Sequence, residues 1–217
     1  MDAEQGDRRR YVSPSRAAGA QKTRRRIVAA AGALFAERGY QATTMPAIAA
    51  AAGVSVQSVH LAGPKSALLV AAFGVAFIGD EGQQALTDRP ELEQIMSLPP
   101  AEALPAYASF LTAAHARSAR IWQALRAAAT TDPVVAGLVD ALEARRYADF
   151  ERAVAWAGER GVLVGPGDPA VRADVMAWLA APETYVWFTR DRGWTGQQYA
   201  AWLVHALTTQ AFGPLPD

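Results

Sequence analysis

Residues 44–69 contain two short helical patterns joined by a tight turn, followed by a third and longer one. Thr44 can cap the first helix, and Pro46 fits its first turn because the N–H that proline lacks has no helical partner there. Gly53 supplies the left-handed residue of the turn, and Ser55 can cap the second helix. This layout predicts a helix-turn-helix unit, whose second helix enters the major groove of DNA.

The second helix of this unit carries side chains suited to reading base edges. Gln57 can make two hydrogen bonds to adenine, and Ser58 can bond to donors or acceptors. The alternative is that both are ordinary exposed polar residues. Val56 can contact a thymine methyl group, or be a surface or packing valine. His60 binds phosphate better when protonated, but a solvent-facing histidine without function explains it equally well.

Basic charge is concentrated in the first third of the chain. Residues 1–70 have ten Lys and Arg against four Asp and Glu, a net charge of +6, whereas residues 71–217 have eleven against seventeen, a net charge of −6. Because phosphate neutralisation supplies most sequence-independent DNA affinity, this asymmetry indicates a polyanionic partner. Arg24, Arg25 and Arg26 are predicted to strengthen binding without specifying sequence. The alternative is a solvated basic arm.

Helical periodicity continues along the chain, and no segment has a convincing strand pattern. Residues 1–20 lack apolar periodicity and predict a disordered basic arm. Residues 21–67 are predicted to form a three-helix, DNA-binding helix-turn-helix domain, termed the head, whose first helix runs from Gln21 to Arg38 and is closed by Gly39. Residues 68–217 are predicted to form a larger helical domain for ligand binding and dimerisation, termed the body. The predicted fold class is therefore all-α.

Several local signals predict where the helices of the body begin. Residues 79–104 predict a loop with at most one short helix, and a long amphipathic helix is expected from Pro105 to Thr131. Asp132-Pro133 and Asp168-Pro169 each place an N-cap before a proline at the first helical position. Thr195 to Gln198 forms a capping box before the last helix.

The sequence lacks the signatures of catalysis and metal binding. There is no cysteine, and the three histidines do not form a ligand cluster at zinc spacing. Gly165-Pro166-Gly167 lacks the third glycine and the preceding strand of a dinucleotide site, and no P-loop, G-x-S-x-G or H-E-x-x-H motif is present. We therefore expect no enzyme, no catalytic residues, no metal and no cofactor.

The apolar segments are too short for a membrane partner. The longest runs from about Leu68 to Ile78, and the N-terminus is polar and rich in arginine, without an apolar signal core. A cytoplasmic location is expected, which the lack of cysteine fits.

The body carries aromatic and polar side chains on apolar helix faces. They can line a ligand cavity, or be plain core and dimer contacts. The candidate ligand-binding residues are Tyr107, Phe110, His115, Trp122, Arg126, Trp156 and Trp178. The apolar faces of 170–190 and 198–211 predict a dimer, because a symmetric helix-pair interface buries what a monomer leaves exposed.

The string from Thr23 to Leu69 resembles the N-terminal domain of the tetracycline-repressor (TetR) family of bacterial transcription regulators. The resemblance lies in the first helix ending in FAERGY, the Thr-Thr before the second helix, AAGVS at the turn, and a Pro-Lys before an apolar helix. The C-terminal stretch PETYVWFTRDRGWTGQQYAAWLVHAL is also similar to the last two helices of many members.

The resemblance implies a homodimer, paired through the last two helices, that places its heads in successive major grooves of a pseudo-palindromic double-stranded DNA operator. It also implies a small-molecule effector in the body, apolar or aromatic, that releases a repressor from DNA. The implied DNA contacts are Thr44, Gln57, Ser58, His60 and Lys65, with Thr44 and Lys65 on phosphates.

The chain departs from the family pattern in the second helix of the helix-turn-helix unit, the recognition helix, and in the loop that follows it. His60 stands where members usually have tyrosine, and the loop before Lys65 is shorter. The alternative function is therefore a helical interaction protein that has lost specific DNA binding.

Overall fold

The computed structural model describes residues 14–81, 86–163 and 167–212, without the side chains of 14–17 and 87, and every regular element in these ranges is helical. The head contains α1 (Pro14–Ala42), α2 (Met45–Ala52) and α3 (Val56–Ala62), and α4 (Lys65–Ile78) connects it to the body. The body contains a 3₁₀ turn (Leu86–Asp88), α5 (Pro90–Ser97), α6 (Pro100–Ala129), α7 (Pro133–Glu159), α8 (Pro169–Leu179), α9 (Pro182–Val186) with a π-helical turn (Trp187–Asp191), and α10 (Gly196–Leu207) with another (Thr208–Phe212). The all-α prediction is confirmed.

The helix-turn-helix forms through the local contacts that the sequence predicts. The Thr44 hydroxyl oxygen accepts the Ala47 N–H at 3.2 Å, and the Ser55 hydroxyl oxygen accepts the Ser58 N–H at 3.1 Å. Gly53 has a φ of 62°, so it takes the left-handed conformation that glycine adopts without a steric cost. Helices α2 and α3 consequently meet at an angle of 105°, which is typical of this unit.

Helix α1 begins earlier than its apolar pattern indicates. It starts at Pro14, so residues 14–20, predicted as part of a disordered arm, are helical, while residues 1–13 lie outside the described ranges. Apolar periodicity reports burial, and residues 18–22 are exposed. Proline at the first helical position and the alanines that follow favour a helix without any packing. Gly39 leaves the helical conformation with a φ of 76°, so the regular helix closes there as predicted.

Helix α6 also begins earlier than predicted, at Pro100 and not at Pro105. Pro100 occupies the first helical position, where proline is favoured. Pro105 is accommodated on an exposed part of the helix, where its missing N–H leaves only the carbonyl of the exposed Ala101 without a helical donor. The short helix expected in the preceding loop is α5.

The other predicted helix starts are confirmed. Asp132 accepts the Val134 N–H at 3.0 Å, and Asp168 accepts the Ala170 N–H at 2.9 Å. Thr195 and Gln198 make both hydrogen bonds of a capping box. The Gly-Pro pairs at 165–166 and 213–214 lie outside the described residues.

The head packs directly on the body. One cluster of buried apolar side chains joins Phe35 and Val59 of the head to Trp122, Leu125 and Val139 of the body. A second cluster fills the space among α6, α7, α8 and α10. Helices α4 and α6 therefore couple the head mechanically to the body core. In the described ranges, no single helix is long and apolar enough to cross a membrane.

Candidate nucleic-acid interface and ligand cavity

Helix α3 buries one side and exposes the other. Val59 is fully buried in the head core, whereas Gln57 and His60 are exposed. Val56 is 38% exposed, and Leu61 is 82% exposed. The outward strip thus combines polar and apolar side chains of the kinds that meet base edges and thymine methyl groups. Sequence reasoning left out Leu61, although it lies one helical turn after Gln57 and therefore on the same face.

Ser58 takes part in the start of its own helix. Its hydroxyl oxygen lies 2.9 Å from that of Ser55, and its side chain is only partly exposed. If Ser58 contacts a base, its hydroxyl must do so while it is also bonded to Ser55, the N-cap of α3. Thr44 is exposed, and since its oxygen only accepts from Ala47, its hydroxyl proton is left to donate to a phosphate.

Lys65 holds the end of the first helix. Its ammonium group donates to the carbonyl oxygens of Tyr40 at 2.9 Å and Thr43 at 3.1 Å, and lies 4.1 Å from the centre of the Tyr40 ring. Partial burial lowers the pKa of Lys65, and the nearby Asp132 carboxylate opposes this shift. An ammonium group has three protons, so one remains for a phosphate. The phosphate role of Lys65 stays a prediction.

Two of the three arginines at the start of the head bind helix ends. Arg24 pairs with Glu81 at 2.5 Å and also donates to the carbonyl of Ala62, the last residue of α3. Arg26 donates to the carbonyl of Ala52, the last residue of α2, at 2.5 Å. A cation at a helix C-terminus stabilises the helix dipole. Arg25 is exposed and makes no hydrogen bond or ion pair with the described residues, so it is the arginine most available to a phosphate.

The body contains an apolar cavity of about 190 Å³. Its walls come mainly from α4, α5, α6 and α7. Four of the predicted ligand residues line it: Tyr107, His115, Trp122 and Trp156. Sequence reasoning did not select Phe73 and Phe77 of α4, which also line it, although both lie on the broad apolar face of that helix. The cavity therefore touches the helix that leads directly from the DNA-binding head.

Three of the predicted ligand residues lie outside the cavity lining. Phe110 packs against the core cluster of α6, α7, α8 and α10. Arg126 is half-exposed and lies 3.8 Å from Glu183. Trp178 is 73% exposed on the outer side of α8. In each case the helix pattern placed the residue near an apolar face, but only the packing of helices distant in sequence decides which face encloses the cavity.

The polar groups of the cavity wall differ in their hydrogen-bond partners. The indole N–H groups donate to neighbours, Trp156 to the Met96 carbonyl at 2.9 Å and Trp122 to Glu183 at 2.8 Å. The Tyr107 hydroxyl has no hydrogen-bond partner among the described residues, and burial raises its pKa, so it stays protonated. Burial lowers the pKa of His115 to about 4, so the imidazole is neutral near pH 7.

An exposed recognition helix on a basic head, joined by one helix to a body with an apolar cavity, defines a helix-turn-helix regulator. Residues 27–72 match the family model described as bacterial regulatory proteins, tetR family. The head of this chain is therefore similar to the N-terminal domain of the tetR family of bacterial regulatory proteins. No curated protein matches the chain significantly.

Solved structures of similar fold cover nearly the whole chain. NalD, the secondary repressor of the MexAB-OprM multidrug efflux pump in Pseudomonas aeruginosa, is 20% identical with a TM-score of 0.67 over 89% of this chain and 98% of that one. SmeT, in a triclosan complex, is 20% identical with a TM-score of 0.66 over 91% and 100%. AibR, in complex with isovaleryl coenzyme A and operator DNA, is 25% identical with a TM-score of 0.62 over 85% and 97%.

Proposed function

We infer that the protein is a homodimeric transcription regulator that represses by binding a pseudo-palindromic operator, and that a small apolar or aromatic molecule in the body releases it. The observation that carries this proposal is the contact of the apolar cavity with α4, the helix that begins at the end of the tetR-family head. Solved structures of the same fold include one with operator DNA and an acyl coenzyme A, and one with triclosan, which supports both binding activities.

The proposed operator contacts come from the exposed strip of α3 and from groups around it. Gln57 reads an adenine edge, with Val56 and His60 beside it, while Thr44, Arg25 and the remaining proton of Lys65 hold phosphates. Arg24 and Ser58 contribute through the contacts that fix α3, as well as through any contact with DNA.

The proposed dimer uses the last helices of the body. Val171 and Trp178 lie seven residues apart on α8, which places them on one face, and they are 56% and 73% exposed. Trp187 adds a third large apolar side chain that is 52% exposed. A symmetric contact between two copies would bury these side chains. Pairing the bodies in this way sets the distance between the two heads.

The proposed release follows from the position of α4. Phe73 and Phe77 lie in the cavity wall, and Lys65, at the other end of the same helix, binds the carbonyls that precede α2. A ligand that shifts α4 therefore shifts the head. A coupling of roughly 1–3 kcal/mol would lower operator affinity about 5- to 150-fold.

Selection of bound fragments from a random DNA pool at physiological salt, followed by footprinting, tests this function. We expect a short inverted repeat protected on two successive major grooves. Weak, sequence-independent binding that salt abolishes would instead support the alternative of a helical interaction protein, which the His60 substitution and the shorter loop before Lys65 favour.

A further inference from the structure

We propose that the cavity of this ligand-responsive regulator selects an uncharged apolar molecule with a hydroxyl group, which donates its proton to Nδ1 of His115. The inference rests on the proposed function and adds the chemistry of the effector. It follows from the tautomer of one buried imidazole, the pairing of the surrounding charges and the size of the cavity.

The surroundings of His115 determine which of its nitrogens carries the proton. Nε2 lies 3.1 Å from the carbonyl oxygen of Ala180, which can only accept a hydrogen bond, so Nε2 is the protonated nitrogen. The side chain is 1% exposed and remains neutral near pH 7 because burial lowers its pKa to about 4. Nδ1 consequently carries a lone pair, and it is buried without a hydrogen-bond partner. A ligand that donates a proton would satisfy this acceptor.

The charges around the cavity leave little attraction for an ionic ligand. Four charged residues of the wall are already in ion pairs: Glu81 with Arg24 at 2.5 Å, Arg89 with Asp80 at 2.7 Å, Arg146 with Glu143 at 2.8 Å, and Asp149 with Arg152 at 2.5 Å. Arg145, the fifth charged residue of the wall, also interacts with a neighbour. An ionic ligand would lose its hydration without finding an uncompensated counter-charge. An uncharged ligand avoids this cost.

The volume of the cavity suits a substituted single ring. It measures about 190 Å³, and its wall includes the rings of Phe73, Phe77 and Trp122. An engineered apolar cavity of about 150 Å³ holds benzene, so a ring with a short alkyl chain and one hydroxyl group is of suitable size.

The position of Nδ1 links ligand binding to the head. The imidazole packs against Phe77 of α4 and Tyr185 of α9, with ring centres 5.7 and 5.6 Å away, and Nδ1 is buried. A hydroxyl group that reaches Nδ1 must therefore displace a neighbouring group. Displacement of Phe77 would move α4. This helix begins at Lys65, which binds the Tyr40 and Thr43 carbonyls of the head.

The test compares three probes on the full-length protein by calorimetry: 4-propylphenol, 4-propylanisole, which keeps the oxygen but has no proton to donate, and propylbenzene. We expect the phenol to bind more tightly than the anisole. In His115→Phe, the ratio of phenol to propylbenzene affinity should fall roughly 5- to 150-fold, which is the effect of leaving a buried hydroxyl without its partner. Using this ratio cancels the difference in hydration between the probes.

Tyr107→Phe is the matched control, because it removes a different polar atom of the wall that has no hydrogen-bond partner among the described residues. This variant should keep the preference for the phenol. The proposal is overturned if none of the probes binds, if His115→Phe leaves the ratio unchanged, or if Tyr107→Phe abolishes the preference.

A spectroscopic measurement on the wild-type protein tests the proposal without a substitution. With ¹⁵N-labelled histidine, the Nδ1 resonance of His115 should move on addition of the phenol, in the direction expected for a nitrogen that accepts a hydrogen bond, and stay in place with the anisole. The exposed His60 and His205 are internal controls. No shift with bound phenol would contradict the proposal. Release of operator DNA is measured separately: phenol binding with this shift but without release would contradict the repressor mechanism and not the ligand chemistry.

Discussion

Among single residues, Gln57 is the side chain that we propose as the main reader of the operator sequence. Gln57→Ala should raise the Kd for the selected operator by about 5- to 150-fold, since a bidentate base contact contributes roughly 1–3 kcal/mol. The Kd for random DNA should change little, because the side chain is exposed and touches no core group. Competition binding against operators altered at single base pairs measures both effects. An unchanged base preference would show that Gln57 does not read the operator.

Lys65 is expected to have a structural and an electrostatic effect that separate experimentally. Lys65→Met keeps the alkyl chain but removes the donors to the Tyr40 and Thr43 carbonyls, so the free energy of unfolding should fall by about 1 kcal/mol. Loss of a phosphate contact should weaken all DNA sequences about equally and reduce the slope of log K against log salt by about one unit. Lower stability with an unchanged slope would identify Lys65 as a cap for α1 alone.

His115 should make the protein less stable in acid. Its pKa in the folded protein is about 4, below the ordinary value of 6.5, so the unfolded chain takes up a proton first as the pH falls. The stability associated with the neutral imidazole is fully present above pH 6.5 and is lost between pH 6.5 and 4. The loss amounts to about 3 kcal/mol at most. Urea unfolding at pH 7 and pH 4.5 measures it, and His115→Phe should lose less stability between the two pH values than the wild type.

At the scale of elements, the end of α4 depends on a glycine that permits a close approach. A Cβ atom at Gly74 would lie 2.9 Å from the Asp80 carbonyl oxygen, and the next residue, Glu81, pairs with Arg24. Gly74→Ala should therefore displace this segment and lower the free energy of unfolding by about 1–3 kcal/mol. It should also weaken the ion pair between Glu81 and Arg24, and Arg24 in turn binds the carbonyl of Ala62 at the end of α3.

Gly137→Ala provides the matched control for this prediction. Gly137 is exposed inside α7, and a Cβ atom there meets nothing within 4 Å. Alanine should stabilise the protein by roughly 0.5–1 kcal/mol through its higher helix propensity. Thermal unfolding of both variants gives the comparison, and equal stabilisation by both would show that the approach at Gly74 is relaxed easily.

At the scale of the whole molecule, operator binding depends on the proposed pairing of two bodies. Trp178→Glu places a charge on the exposed apolar face of α8 and should convert the dimer to a monomer. The monomer should bind the full operator much more weakly, while a half-site is bound as by a single wild-type head. Sedimentation equilibrium and operator titration test this together. Val134→Glu, at another exposed apolar residue, should leave the dimer intact; a dimeric Trp178→Glu protein would place the interface elsewhere.

Features that depend on neighbouring residues could be predicted from the amino-acid sequence. Thr44, Asp132 and Asp168 bond to N–H groups two or three residues further along the chain, so the helix starts could be predicted without knowledge of the fold. The helix-turn-helix and the all-α class follow from such signals together with apolar periodicity. The early start of α1 escaped prediction because an exposed helix leaves no apolar pattern.

Which side chains form the sites depends on contacts between residues that are distant in the sequence. His115 meets Ala180 and Arg24 meets Glu81 across 65 and 57 positions of the sequence, and no local pattern specifies such contacts. The same packing turns Trp122 into the cavity and leaves Trp178 exposed, although both are tryptophans on amphipathic helices. Periodicity distinguishes the face of a helix that is buried, but which helix covers that face depends on the arrangement of all the others.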